Sequence, residues 1–156
     1  MDIQEYFHED LVIFLDVKTQ DELFESMYHM LYEKNIVKQT YLQAIQEREK
    51  IYPTGLQTET LGVAIPHTDS IHIKKEAIGI AVLENPIKFN QMGAINVDVE
   101  VNVVFALAIQ KPDNQLGILQ VIIELIQNKD ILLKIKNSQT RRKVITLIEE
   151  FCLQKQ

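Results

Sequence analysis

Cysteine is almost missing from this chain: Cys152 stands alone among 156 residues, which excludes an internal disulfide framework. Glycine is scarce as well, and the five glycines fall in no phosphate-cradling or dinucleotide-binding arrangement. Basic residues are too few for a nucleic-acid partner, since 16 Lys and Arg face 22 Asp and Glu, a formal net charge of -6. The one basic run, Arg141-Arg142-Lys143, reads as a solvated helix end. Long apolar runs are absent too. The longest unbroken one spans 103–109, too short to cross a bilayer as a helix. The opening Met1-Asp2-Ile3-Gln4-Glu5 lacks the basic-then-apolar order of a secretory signal. No direct membrane insertion is expected, and the cytoplasm is the expected compartment. No Gly/Ser/Pro linker and no internal repeat divides the chain, so a single domain over 1–156 is expected. Its 46% apolar and 24% charged residues are those of an ordinary globular protein.

What is present alternates between strand and helix signals. Residues 11–15 read as a buried strand. Thr19 with Glu22 has capping-box spacing, and Leu23, Phe24, Met27, Met30 and Leu31 recur with helical period before Asn35 ends the helix. Thr40 with Gln43 repeats the signature for a second helix, carrying Leu42, Ala44 and Ile45 and fading before Tyr52-Pro53. Residues 53–60 read as loop, and 61–65 as a buried strand stopped by Pro66. A third strand over 78–83 is expected to turn at Asn85-Pro86. Residues 97–109 alternate and then become wholly apolar, as in a strand running from a half-exposed to a fully covered part of a sheet. A loop over 111–114 leads to a helix over 115–127, with Leu116, Leu119, Ile122, Ile123 and Ile126 as its apolar face. Residues 131–135 fit either a helix or a strand. Ser138 is the expected cap of a last helix that buries Val144, Ile145, Leu147, Ile148 and Phe151. The mixture implies an α/β fold: a mixed β-sheet flanked by helices on both faces.

Four histidines differ in setting. His8 lies in the N-terminal segment, and His29 falls off the apolar stripe of its helix. His67 follows a buried strand and a proline, where side chains reach the rim of an α/β sheet. Pro66 restricts how the backbone presents it, and imidazole acts as nucleophile or proton carrier near neutral pH. Thr68 and Ser70 add hydroxyls beside it, and turn amides can hold phosphate oxygens. On spacing alone, a turn or core histidine is the leading reading of His67. His67, Asp69 and His72 match no zinc spacing, no Gly-x-Ser-x-Gly elbow is present, and Cys152 reads as a buried inert thiol. Arg48, near the end of the second helix, is either a favourably placed surface charge or a fork for phosphate oxygens.

Glu47-Arg48-Glu49, Thr54-Gly55 and Gly62-Val63-Ala64-Ile65-Pro66-His67 follow one another in order. The set resembles the fructose/mannitol-type enzyme IIA domain of the bacterial phosphoenolpyruvate-dependent sugar phosphotransferase system, over essentially the whole chain. The resemblance implies a phosphocarrier. His67 would take a phosphoryl group from the phosphohistidine of HPr and pass it to a cysteine of a IIB protein, with the sugar meeting the membrane IIC component. By the same match Arg48 would stabilise the phosphate, and Thr54 and Gly55 would lie in the active-site loop. No cofactor and no ATP are implied. The second histidine of many members is replaced here by Gln115, which donates hydrogen bonds but cannot be protonated near pH 7. That change, with Tyr52-Pro53-Thr54-Gly55 and His67-Thr68-Asp69, looks more like the galactitol-type branch. The alternative implied role is that of the nitrogen-type relatives, regulatory modules that bind partners according to phosphorylation state.

Overall fold

The computed structural model describes residues 2–155. Among these, five strands form one mixed sheet and five α-helices cover it on both faces, as expected. The strands are β1 (Phe7–Leu15), β2 (Gly55–Gln57), β3 (Gly62–Ala64), β4 (Ala77–Gln91) and β5 (Ala94–Ala108). The helices are α1 (Gln20–Glu33), α2 (Tyr41–Ile51), α3 (Pro112–Gln127), α4 (Lys129–Lys136) and α5 (Arg141–Gln154). β4 and β5 make a long antiparallel hairpin. β1 lies parallel to β4 on one side and β3 parallel to β5 on the other. β2 pairs antiparallel with β3 and touches the far end of β4 through Gly55 and Gln91, so the sheet curls back on itself there.

Strand alternation sorts the core into two layers. Ile78, Ile80, Val82, Val103, Phe105 and Leu107 pack with the inner faces of α3, α4 and α5. Ala77, Ala81, Val104, Ala106 and Ala108 point the other way, towards α1 and α2, joined by Leu11, Leu83 and Phe89. The small alanines on that face leave room for the two helices to lie close. Cys152 is buried on the inner side of α5, and burial pushes its thiol pKa up.

Several local readings hold in atomic detail. Thr19 accepts the Glu22 amide at 3.1 Å and donates its hydroxyl to the Glu22 carboxylate. Asn35 takes φ 60°, while the amides of Asn35 and Ile36 return to the carbonyls of Tyr32 and Leu31. That pairing is a Schellman end, in which an amide side chain tolerates the left-handed backbone. Other readings are corrected. β1 begins at Phe7, because the polar residues 8–10 form an exposed stretch of an edge strand. β4 does not turn at Asn85-Pro86 but runs on to Gln91, absorbing the proline in a bulge where register shifts between Val82 and Ile87. β5 likewise begins at Ala94, and residues 55–57, expected as loop, pair as β2. Thr40 makes no cap bond; its hydroxyl meets His72 Nδ1 at 2.8 Å. Residues 131–135 lie inside α4, which Asn128 caps. Thr140, not Ser138, caps α5, while Ser138 donates to the Lys134 carbonyl. α3 starts at Pro112, three residues before Gln115, because proline at the first turn loses no hydrogen bond. Its buried residues are Ile118, Ile122, Leu125 and Ile126, whereas Leu116 faces out.

Gly62 is where β3 passes closest to β5. A Cβ there would lie 2.0 Å from the Glu100 carbonyl oxygen and 2.8 Å from a Val99 methyl. Gly62→Ala should therefore destabilise the protein by about 2 kcal/mol or more. Urea unfolding followed by circular dichroism checks this, and a midpoint equal to wild type would show that the two strands are free to part.

Candidate functional site

β3 ends at Ala64, but the chain stays against its neighbours for three more residues. Ile65 N donates to Thr54 O at 3.3 Å, Pro66 O accepts from Leu107 N at 3.0 Å, and His67 bridges Leu107 in parallel register. Ile65 and Pro66 are buried, and the imidazole of His67 emerges half-buried at the sheet rim. Its Nδ1 lies 2.9 Å from the Ile65 carbonyl oxygen. A carbonyl only accepts, so Nδ1 carries the hydrogen and Nε2 keeps its lone pair. Burial pulls the His67 pKa below its ordinary value; the Ile65 carbonyl opposes this, the Arg48 charge adds to it and Asp69 opposes it. The ring is neutral at pH 7 and nucleophilic at one nitrogen.

Arg48 stands in the last turn of α2, in the basic position a helix C-terminus favours. Its guanidinium lies over the exposed Tyr52 ring, 5.1 Å from the centroid, and Nη1 reaches Asp69 Oδ1 at 3.3 Å. Nε is buried and meets no acceptor among the described residues. Glu49, the next residue, turns inward and is 4% exposed. Its carboxylate accepts the Thr54 amide at 2.6 Å and the Thr54 hydroxyl at 2.9 Å. Burial raises its pKa to about 7, against the lowering effect of the two Thr54 bonds and of Arg48. The clamp ties the end of α2 to the start of β2, and Thr54 in turn holds Ile65. Sequence reasoning quoted Glu49 within the Glu47-Arg48-Glu49 motif but gave it no role of its own. The signal available was helical phase: Glu49 lies four residues beyond the buried Ile45.

An open cleft of about 460 Å³ lies beside His67, lined among others by Arg48, Thr68, Asp69, Gln115 and Leu116. His67 precedes Thr68 and does not itself line the cavity. Thr68 and Gln115 thus lie in the same cleft as Arg48, whereas Thr54 and Gly55 do not line it. Both hydrogen-bond donors of Thr54, its amide and its hydroxyl, go to Glu49. Gly55 has a packing duty, since a Cβ there would sit 2.6 Å from the Asn90 carbonyl oxygen. The far wall is the first turn of α3, and Glu76 holds it in place. That carboxylate accepts the amides of Gln110 and Lys111 and the side-chain amide of Asn114 at 2.8–3.0 Å. A second hollow of about 490 Å³ lies between β2 and the end of α3, where the cation, Lys129, is paired with Glu59.

The other histidines stay apart from this chemistry. His72 is held by Thr40, His29 is exposed against Tyr28, and His8 is exposed on β1. Among the described residues no three His, Cys, Asp or Glu side chains come together to hold a metal, so His67, Asp69 and His72 form no such set.

Residues 5–151 match the family described as "Phosphoenolpyruvate-dependent sugar phosphotransferase system, EIIA 2". The galactitol-specific EIIA component of Escherichia coli K12 is 34% identical over 113 residues, covering 72% of this chain and 75% of that protein. Among solved structures, a putative PTS IIA (PtxA) from Streptococcus mutans superposes with a TM-score of 0.80 at 24% identity, covering 97% of this chain and 95% of that one. The mannitol-specific cryptic enzyme IIA CmtB of Escherichia coli gives 0.77 at 20% identity, covering 96% and 99%. At these identities the structural likeness speaks to the fold.

The Glu49 carboxyl ionises near pH 7 when folded and near 4.5 as a free group. The folded state therefore holds its proton more tightly, so this group's contribution to stability falls as pH rises from about 4.5 to about 7. Glu49→Gln keeps an acceptor for the Thr54 amide and should flatten that part of the profile. Denaturant midpoints measured across the window for both proteins check it; parallel profiles would refute the assignment.

Proposed function

The chain belongs to the EIIA 2 family of the phosphoenolpyruvate-dependent sugar phosphotransferase system, and on that premise we propose that His67 carries its phosphoryl group, on Nε2. Members of this family are phosphotransferase components that carry phosphoryl groups between proteins. The observation that carries the residue assignment is the 2.9 Å contact from Nδ1 to the Ile65 carbonyl, which leaves Nε2 as the free lone pair.

Transfer needs little covalent work from the protein beyond alignment and charge compensation. Nε2 attacks the phosphorus of phospho-HPr; the P–N bond to the donor breaks as the new one forms. Nδ1 keeps its proton, held by Ile65, so the phosphorylated ring is cationic and a good leaving group for the next step. A phosphoryl group brings roughly two negative charges at neutral pH. Arg48 offsets them with its forked donors, the Gln115 amide contributes a neutral hydrogen bond, and the start of α3 favours an anion. The thiolate of a IIB cysteine then takes the group, and IIB hands it to the sugar at the IIC component. Exposed apolar side chains beside the site, Tyr52, Ile71 and Leu116, offer contact to both proteins in turn. The galactitol-type route is the favoured sugar assignment, supported by the 34% identity to that EIIA component. The cytoplasm is the proposed compartment. In support, no helix among the described residues is long and apolar enough to cross a membrane.

His67→Ala should abolish acceptance of phosphate with the fold intact. Intact-mass measurement after incubation with phosphoenolpyruvate, enzyme I and HPr checks this, and equal labelling of both proteins would reject the residue. Arg48→Ala should slow transfer by roughly 10²-fold, the size of a lost charge-stabilising donor, with little change in the melting curve. Because burial depresses the imidazole pKa below 6.5, acceptance should persist at pH values where an ordinary histidine is more than half protonated. Rapid-quench rates from pH 5 to 8 give the profile, and an acid limb centred above 6.5 would contradict the burial argument.

A further inference from the structure

The cleft beside His67 holds one cation and two claimants for it. Of the side chains lining it, Arg48 alone is positive and Asp69 alone negative. Before phosphorylation, Arg48 Nη1 is on Asp69 Oδ1 at 3.3 Å, so the pair is neutral. Asp69 follows His67 by two residues, and its field already reaches the imidazole, where it opposes the fall in pKa. The guanidinium has reserve capacity, because Nε is buried without an acceptor. Stacking on Tyr52 holds its plane in the cleft while its partner changes.

We propose, resting on the reading of His67 above, that Asp69 sets the phosphoryl-transfer potential of His67 as the resting counter-ion of Arg48. When the donor's P–N bond breaks and the Nε2–P bond forms, Arg48 is drawn from Asp69 towards the phosphoryl oxygens. Asp69 is left as an uncompensated anion beside a dianion. With Asp69 the local charge of these three groups goes from zero to about minus one, the phosphoryl dianion being partly offset by the ring cation. With an uncharged residue it would go from plus one to about zero. The carboxylate therefore makes the loaded state less stable and the return of the group easier. Asp69 touches no reacting atom; it is a positioning residue acting through Arg48 and through its field.

The test is an equilibrium partition. A limiting amount of phosphoenolpyruvate is shared, through enzyme I, between HPr and the wild-type, Asp69→Asn or Asp69→Glu chain. Phosphorylated fractions are read by intact mass once they stop changing. Asp69→Asn should move the partition towards this chain by roughly fivefold, the size of a partly exposed charge interaction. Asp69→Glu should restore the wild-type value, and the shift should shrink in 1 M salt, where screening is short-ranged. A residue that only guides docking changes the speed of approach and leaves the partition alone, so an unchanged Asp69→Asn partition overturns the proposal. An equal shift in Asp69→Glu overturns it too, since charge would not be the cause. Wild-type chain that takes no label on His67 defeats instead the reading on which the proposal rests.

Discussion

On the proposed reading, His67 needs one ring nitrogen free as nucleophile, and a hydrogen bond on the other fixes which one that is. Here the Ile65 carbonyl does the second job, two residues from the ring it orients. That contact is only as good as the backbone beneath it. Residues 65–67 are held by Leu107 of β5 on one side and by Thr54 on the other, and Pro66 brings no amide hydrogen of its own. The tight passage of Gly62 past Glu100 lets the short strand β3 sit close enough to β5 for this pairing to continue to the rim. The tautomer of one side chain is thus the output of a sheet.

On the proposed reading of His67, the charges around that ring serve a group that must both arrive and leave. A deeper cradle of cations would hold the phosphate too well. The cleft instead offers one arginine, already shared with Asp69, a neutral amide at Gln115, and the start of α3. Glu49 and Glu76 stand behind this arrangement. One fixes the end of α2 to the loop that leads into β2, and the other fixes the junction from β5 to α3. Both carboxylates use their oxygens on protein amides and, for Glu49, the Thr54 hydroxyl, so they hold the walls of the site in place without adding free negative charge to its floor.

Much of the framework was legible because it rests on local rules. Thr19 with Glu22, and Asn35 at a helix end, are decisions the chain makes within a few residues, and they appear as read. The two-faced sheet followed from apolar strands alternating with amphipathic helices. The misreadings share a cause. Asn85-Pro86 resembles a turn until β5 is seen to pair on both sides of it, which makes a bulge cheaper than a break. Residues 55–57 look like loop because so short a strand is defined by its partners β3 and β4 rather than by its own composition. Thr40 has the spacing of a cap but spends its hydroxyl on His72, which lies 32 residues away in the chain.

The sequence by itself determined the family and the class of fold, since both are written in residue type and order, and it singled out His67 as the candidate carrier. It also showed that Gln115 brings an amide where a second imidazole was expected. Only the tertiary structure decided which nitrogen of His67 is free and that Glu49 is a buried clamp rather than a solvated charge. It alone showed that Thr54 gives its amide and hydroxyl to Glu49, and gave Arg48 a resting partner. The physical reason is common to all of these. A hydrogen bond or an ion pair depends on distances of a few ångströms between groups brought together by folding, and neither the burial nor the partner of a polar side chain can be read from its own neighbourhood in the chain.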